Sequence, residues 1–160
     1  MKLEIIEGCL NYSFTVDGNN IYNIDKKKLK QIALDIIDKL DRNDLYKEFA
    51  NTIYIIGKMP DRDESYISDE SCISIVELKD KLVKFVCNNK LEQTYIDSKP
   101  IENFKTDDIK DIWKEIILSY CSNEQILDIL QNLVIDVGES KNLGHCTVCG
   151  DTTYSYVIKI

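Results

Sequence analysis

Residues 16–24 read Val-Asp-Gly-Asn-Asn-Ile-Tyr-Asn-Ile, and residues 96–104 read Ile-Asp-Ser-Lys-Pro-Ile-Glu-Asn-Phe. The two stretches align without a gap, and the same register continues to residues 40 and 120. Seven of these 25 positions are identical, and the spacing of the apolar residues agrees as well. The sequence therefore predicts a tandem duplication, with one copy at residues 1–78 and a second at residues 79–160.

Each predicted copy contains the same succession of strands and helices. Apolar residues recur at i, i+3, i+4, i+7, i+8 and i+11 from Leu29 and again from Ile109, which predicts an amphipathic helix in both copies. A second helix follows and ends at Gly57 or Gly138, where we expect a left-handed C-terminal cap. Strands open and close each copy, so the predicted fold class is α+β and the unit is β-β-(β)-α-α-β.

Local signals place the turns and caps. Asp17-Gly18 is a strong hairpin signal, and Asp97-Ser98 is its weaker counterpart. Ser122 and Gln125 have the spacing of a capping box at the start of the last helix. A copy of about 80 residues would bury only a modest fraction of its surface alone. We therefore expect the two copies to pack together about a pseudo-twofold axis.

The composition is that of a folded protein. Hydrophobic residues make up 44% of the 160 residues and charged residues 30%, with a net charge of −8. This charge disfavours direct binding to nucleic acid and is compatible with a basic protein partner. Neither a signal peptide nor a membrane span of about 20 apolar residues is visible, so we expect a cytoplasmic protein with reduced cysteines.

The motif with the clearest chemistry is Gly-His-Cys-Thr-Val-Cys-Gly-Asp at residues 144–151. Two thiolates from one tight turn, followed by glycine, are typical of half a zinc site. A redox motif of the thioredoxin type would precede a helix, whereas a strand is predicted here. The alternative interpretation is a pair of unligated thiols in a hairpin turn.

The other zinc ligands are predicted from strand geometry. If the last strand of a copy ran antiparallel to its own first strand, Cys87 would approach Cys146 and Cys149, with His145 as a fourth ligand. With a single histidine in the chain, such a zinc ion would be structural, because an open histidine-rich catalytic site needs more imidazoles.

The connection at residues 58–71 is acidic and is the predicted binding surface for a protein partner. Its binding residues are Asp61, Asp63, Glu64, Asp69 and Glu70. Since no Gly-rich phosphate loop and no HExxH motif occurs, we predict no catalytic residue and expect a non-enzymatic binding or regulatory protein. Its size and charge are those of some inhibitors encoded by phages or mobile elements.

Two alternatives remain open. The first is a zinc-knuckle adaptor in a nucleic-acid process, with the cysteine turn as its contact point. The second is a metal-dependent hydrolase that uses clustered carboxylates, which requires those acids to converge on one cleft.

Overall fold

The structure, a computed structural model, describes residues 1–59, 72–88 and 91–160. Over these residues the fold is α+β, with four α-helices and two antiparallel sheets. The first part of the chain comprises β1 (Lys2–Glu7), β2 (Tyr12–Val16), β3 (Asn19–Asn20), a 3-10 turn (Ile21–Asn23), α1 (Lys26–Lys39), α2 (Arg42–Ile56) and β4 (Cys72–Glu77). The remainder comprises β5 (Leu82–Cys87), β6 (Glu92–Ile96), β7 (Lys99–Pro100), a 3-10 turn (Ile101–Asn103), α3 (Thr106–Ser119), α4 (Asn123–Val137), β8 (Glu139–His145) and β9 (Thr152–Lys159).

The order of elements in the first half recurs in the second. Three strands, a 3-10 turn, two helices and a strand follow one another from β1 to β4 and again from β5 to β9. In the second series a further strand, β8, directly precedes β9, whereas residues 60–71, which directly precede β4 in the first series, lie outside the described residues. The sequence pattern missed β8 because all seven of its residues are exposed, so it lacks the apolar alternation of a half-buried strand.

The chain forms two compact units. The first unit comprises Met1–Ile36 and Ile126–Ile160, and the second comprises Ile37–Gln125. The chain passes from one unit to the other within α1 and again within α4. The boundaries of these units differ from the predicted division between residues 78 and 79. That division describes the internal repeat of the sequence, and it stays a prediction.

Each sheet combines strands from both halves of the sequence. The first unit contains the order β3-β2-β1-β9-β8, and the second contains β4-β5-β6-β7. Both β1–β9 and β4–β5 are antiparallel, so the last strand of each half pairs with the first strand of the other half. Equivalent backbone hydrogen bonds lie at the ends of these two strand pairings. Leu78 N donates to Lys81 O, and Ile160 N donates to Met1 O, each at 2.8 Å.

Chain connectivity explains this pairing. Only Lys79 and Asp80 separate the residues that close the β4–β5 hairpin, and strands joined by so short a turn pair with each other. Since β5 then has β4 on one side and β6 on the other, it has no free edge for β9. The pairing of β9 with the first strand of its own half, on which the sequence-based ligand set depended, does not occur.

The two predicted hairpin turns have the same backbone conformation. Asp17 and Gly18 have φ values of 49° and 83°, and Asp97 and Ser98 have values of 48° and 66°. Positive φ at both central positions is typical of a type I′ turn. Each aspartate also accepts a backbone N–H through Oδ1, from Lys2 at 2.8 Å and from Leu82 at 2.9 Å.

The capping-box prediction is confirmed, whereas the glycine-cap prediction is wrong. Ser122 N donates to Gln125 Oε1 at 2.8 Å, and Gln125 N donates to Ser122 Oγ at 3.2 Å. Neither Gly57 nor Gly138 has a positive φ. Both glycines are instead required by close approach: a Cβ on Gly57 would lie 2.7 Å from the Cβ of Ser74 in β4. A Cβ on Gly138 would lie 2.2 Å from the carbonyl oxygen four residues earlier.

Apolar side chains of the helices and strands form the interior of each unit. In the second unit α2 packs on β4, β5 and α3, and Phe49 meets the fully buried Trp113 edge to face with centroids 5.9 Å apart. In the first unit, alternate residues of β1 and β2 are buried: Leu3, Ile5, Phe14 and Val16. Among the described residues, no helix combines the length and the apolar character needed to cross a bilayer.

Replacing Ser98 by glycine should stabilise the protein by about 1 kcal/mol, because a side chain in the left-handed region costs about that much. The matched reverse change, Gly18→Ser, should destabilise it by a similar amount. No heavy atom lies within 4 Å of a Cβ built on Gly18, so this cost is conformational rather than steric. Urea denaturation of both variants measures the two free energies of unfolding. A destabilised Ser98→Gly variant would contradict the expectation.

Candidate metal centre

Three thiols from two loops of the first unit form one cluster. Cys9 lies in the turn between β1 and β2, and Cys146 and Cys149 lie in the loop between β8 and β9. Their sulfur atoms all lie within 4.8 Å of one another. The Cys149 and Cys9 sulfurs are only 2.9 Å apart, although 140 positions separate them in the sequence.

The β1–β9 pairing brings these loops together. Its last pair is Glu7 with Tyr154, so the turn after β1 and the loop before β9 lie at the same end of the sheet. A Cβ on Gly8 would lie 2.3 Å from Thr153 Oγ1, so the glycine permits the close approach of the two segments. Gly8 N also donates to Asn11 O at 2.8 Å and closes the turn that carries Cys9.

Backbone hydrogen bonds shape the cysteine turn. Cys146 N donates to Asp151 O at 2.8 Å, and Gly150 N donates to Cys146 O at 3.0 Å. Gly150 has a φ of 79°, a conformation that glycine adopts without strain. The turn directs the backbone N–H groups of Cys149 and Val148 at the sulfur of Cys146. This is the arrangement expected of a knuckle that holds a thiolate.

The thiols of the cluster have different acidities. Hydrogen bonds from the backbone N–H groups of Cys149 and Val148 lower the pKa of Cys146 from 9.0 to about 7, because they stabilise the thiolate. Hydrogen bonding of the Cys9 thiol to Cys149 and Cys146 raises its pKa from 9.0 to about 12. At neutral pH, negative charge in the metal-free cluster therefore forms first on Cys146.

The predicted ligands separate into two groups. Cys146 and Cys149 lie in the cluster, but their third partner is Cys9. Cys87 instead lies in β5 of the second unit, where it pairs across the strands with Cys72 and its sulfur lies 3.8 Å from a carboxylate oxygen of Glu92. The ligand prediction for Cys87 depended on a strand pairing that the sheet topology does not contain.

His145 lies beside the cluster, at the end of β8. Its ring is exposed, and Nδ1 lies 2.8 Å from the hydroxyl oxygen of Thr152. It lines a surface depression of about 300 Å³ together with Cys9 and Cys146, but it is not within the group of three mutually close thiols. The predicted binding residues, Asp61, Asp63, Glu64, Asp69 and Glu70, lie outside the described residues.

Sequence reasoning missed Cys9, although a signal for it was present. The connection of two residues, Lys79 and Asp80, favours a β4–β5 hairpin, and this hairpin leaves the free edge of β1 for the last strand. A knuckle that directly precedes that last strand then lies opposite the turn after β1, which contains Cys9.

The cluster has the chemistry of a soft-metal site. Thiolates bind zinc with bonds of about 2.3 Å, so a tetrahedral ion would hold two sulfurs about 3.8 Å apart. The Cys9 and Cys149 sulfurs would separate by about 1 Å to reach that geometry. Within residues 1–59, 72–88 and 91–160, this is the one group of three or more histidine, cysteine or acidic side chains close enough to share an ion.

Comparisons of the chain with protein-family models, with curated protein sequences and with solved structures give no match. The function is therefore inferred from the residues of the chain itself.

Iodoacetamide should modify Cys146 first in the metal-free, reduced protein, because the thiolate is the reactive form. Its labelling should be half-maximal near pH 7, whereas Cys9 should react only in strongly alkaline solution. Desolvation raises the pKa of Cys87, which serves as the internal comparison. Peptide mapping after short pulses between about pH 5 and 9 measures all three. Equal labelling of Cys9 and Cys146 at neutral pH would show that the turn does not stabilise a thiolate.

Proposed function

We propose that this protein is a non-enzymatic binding protein in which Cys9, Cys146 and Cys149 hold a structural zinc ion. The convergence of three thiols from two loops carries the proposal. Two of these thiols lie in a turn of the form that zinc knuckles use, and its N–H groups favour a thiolate. Zinc prefers such sulfur ligands and needs no redox chemistry to bind them.

His145 is proposed as the fourth ligand. It is the one imidazole in the sequence, and it directly precedes Cys146. A histidine that binds a metal usually engages a neighbouring oxygen through its other ring nitrogen, which orients the ring. The contact between His145 Nδ1 and Thr152 Oγ1 provides such an engagement and leaves Nε2 for the ion. A site with three thiolates and one imidazole is a closed structural site.

The proposed ion would link the two ends of the sequence. Cys9 and Cys149 are 140 positions apart, and joining them closes a long loop of the chain. A ligand that binds only the folded arrangement stabilises that arrangement. We therefore expect zinc to stabilise the first unit and to hold the β1–β2 turn against the β8–β9 loop.

A protein partner is part of the proposal. Leu10 and Val148 are 94% and 93% exposed, the highest values among the large apolar side chains of the described residues. They lie on the two loops that carry the thiols. Exposed apolar side chains on a rigid, metal-linked edge are suited to contact with a protein. The net charge of −8 favours a basic partner over nucleic acid.

A hydrolase built on clustered carboxylates gains less support. The group of close metal-binding side chains within the described ranges contains sulfur alone and no carboxylate. The adaptor alternative shares the zinc site with our proposal and differs in its partner. Direct contact between this site and phosphate is disfavoured because Lys141 and His145 are the only basic side chains close to the cysteine turn in sequence.

We also infer that the chain arose by tandem duplication of an ancestral unit. The recurrence of element order supports this, as do the equivalent positive-φ aspartates Asp17 and Asp97. The equivalent hydrogen bonds of Leu78 and Ile160 support it as well. The pseudo-twofold packing of the two copies stays a prediction.

Protein purified under reducing conditions, without added metal, should contain about one zinc ion per chain. Cys9→Ser and Cys146→Ser should each weaken zinc binding by more than about 100-fold, because removal of a direct ligand costs more than removal of a residue that only orients a ligand. Elemental analysis and competition with a chromophoric chelator measure both quantities.

Cys87→Ser is the matched control for these variants. It removes a thiol that the sequence pattern placed in the site and the structure places in the other sheet, so zinc content should not change. A zinc content well below one per chain in the wild-type protein would exclude the proposed site. Loss of zinc from Cys87→Ser but not from Cys9→Ser would instead support the ligand set predicted from the sequence, in which Cys87 takes the place of Cys9.

The partner proposal is tested by two sets of substitutions. Leu10→Asp with Val148→Asp should abolish capture of a partner from a host lysate, because charge on both loops opposes an apolar contact. Neutralising Asp61, Asp63, Glu64, Asp69 and Glu70 is the comparison, since it changes the acidic connection and leaves the zinc loops intact. Loss with the second set alone would move the contact to the connection. Capture that neither set changes, or no captured protein at all, would contradict the proposal.

A further inference from the structure

We propose that Cys9 and Cys149 form a reversible disulfide when the protein meets a peroxide, and that this reaction releases the bound metal ion. The release step rests on the proposed zinc site, whereas disulfide formation rests only on the arrangement of the sulfurs. The cluster is thus both a metal site and a site of oxidative modification.

The geometry favours this particular pair. The Cys9 and Cys149 sulfurs are 2.9 Å apart, and a disulfide bond of about 2.05 Å would bring them closer by less than about 1 Å. Both residues are exposed, so a small oxidant reaches them without opening the core. Both also lie in loops, where the backbone adjusts more readily than within a ladder.

The reaction balances with hydrogen peroxide as the oxidant. The two zinc-bound thiolates lose two electrons, and a new S–S bond forms. Peroxide accepts these electrons together with two protons from the solvent, its O–O bond breaks, and two water molecules leave. Zinc leaves at the same time, because a disulfide sulfur no longer offers a thiolate. Cys146 and His145 alone then supply two of the four ligands that a structural site requires.

The second unit contains a natural comparison. Cys72 and Cys87 are also opposite each other, as Cα partners in the β4–β5 ladder, and both are half-buried. Their sulfurs are held within a regular ladder, and the Cys87 thiol is engaged with Glu92. This pair should therefore oxidise more slowly than the exposed pair in the loops.

The test uses the full-length, zinc-loaded protein and hydrogen peroxide at about one equivalent per chain. Peptide mapping without reduction identifies the disulfides, and a chromophoric chelator measures the zinc that is set free. We expect the Cys9–Cys149 linkage to dominate and about one zinc ion to leave per disulfide formed. Dithiothreitol with added zinc should restore the starting state.

Two variants keep the test decisive. Cys149→Ser should abolish the linkage to Cys9, whereas Cys87→Ser should leave it unchanged. A dominant Cys146–Cys149 or Cys72–Cys87 disulfide would overturn the inference, and so would an oxidised protein that keeps its zinc. Zinc-containing protein that forms no disulfide contradicts this inference alone. A protein without zinc contradicts the proposed function and the release step, while its disulfide map still decides the pairing.

Discussion

The antiparallel pairing of β9 with β1 is the interaction on which the first unit depends. It joins the two ends of the sequence into one sheet, and it ends in backbone hydrogen bonds between Met1 and Ile160. Contacts between residues so far apart in sequence require a large loop of chain to be closed, which is entropically unfavourable. Burial of apolar side chains offsets that cost, with Leu3 and Ile5 fully buried on β1.

The candidate site is a consequence of that pairing. The thiol of Cys9 and the thiols of the cysteine turn belong to separate loops, and neither loop has three ligands alone. The register of β1 with β9 places the loops at one end of the sheet, and Gly8 allows them to approach closely. A metal ion at this position would strengthen the same long-range contact that creates its site.

Exposure links the metal binding and the oxidation that we propose for this cluster. Thiolates that bind zinc are also nucleophiles toward peroxides, and solvent access determines whether an oxidant reaches them. Cys9 and Cys149 are exposed, whereas Cys72, Cys87 and Cys121 are partly covered. The two loops that hold the thiols also carry the exposed Leu10 and Val148. A change in the linkage between these loops would therefore alter the surface that we propose for a partner.

Local structure was largely determined by the sequence itself. Three kinds of feature depend only on neighbouring residues, so the sequence pattern predicts them without knowledge of the fold. They are the apolar helix stripes that begin at Leu29 and Ile109, the turns at Asp17 and Asp97, and the capping box at Ser122. The cysteine turn at residues 146–149 belongs to this class. The exposed strand β8 was missed because it has no apolar periodicity.

Only the tertiary structure decided which strands pair, and with them which third thiol joins the cysteine turn. Cys9 directly follows the first strand of the first half and Cys87 ends the first strand of the second half, and the sequence pattern predicted Cys87 as the partner. Because the link between β4 and β5 is short, β4 occupies the edge of β5 at which β9 would have brought the cysteine turn to Cys87. β9 therefore pairs with β1, and the turn lies beside Cys9. Strand pairing is a competition for free sheet edges, and its outcome depends on every strand at once rather than on the residues of any one segment.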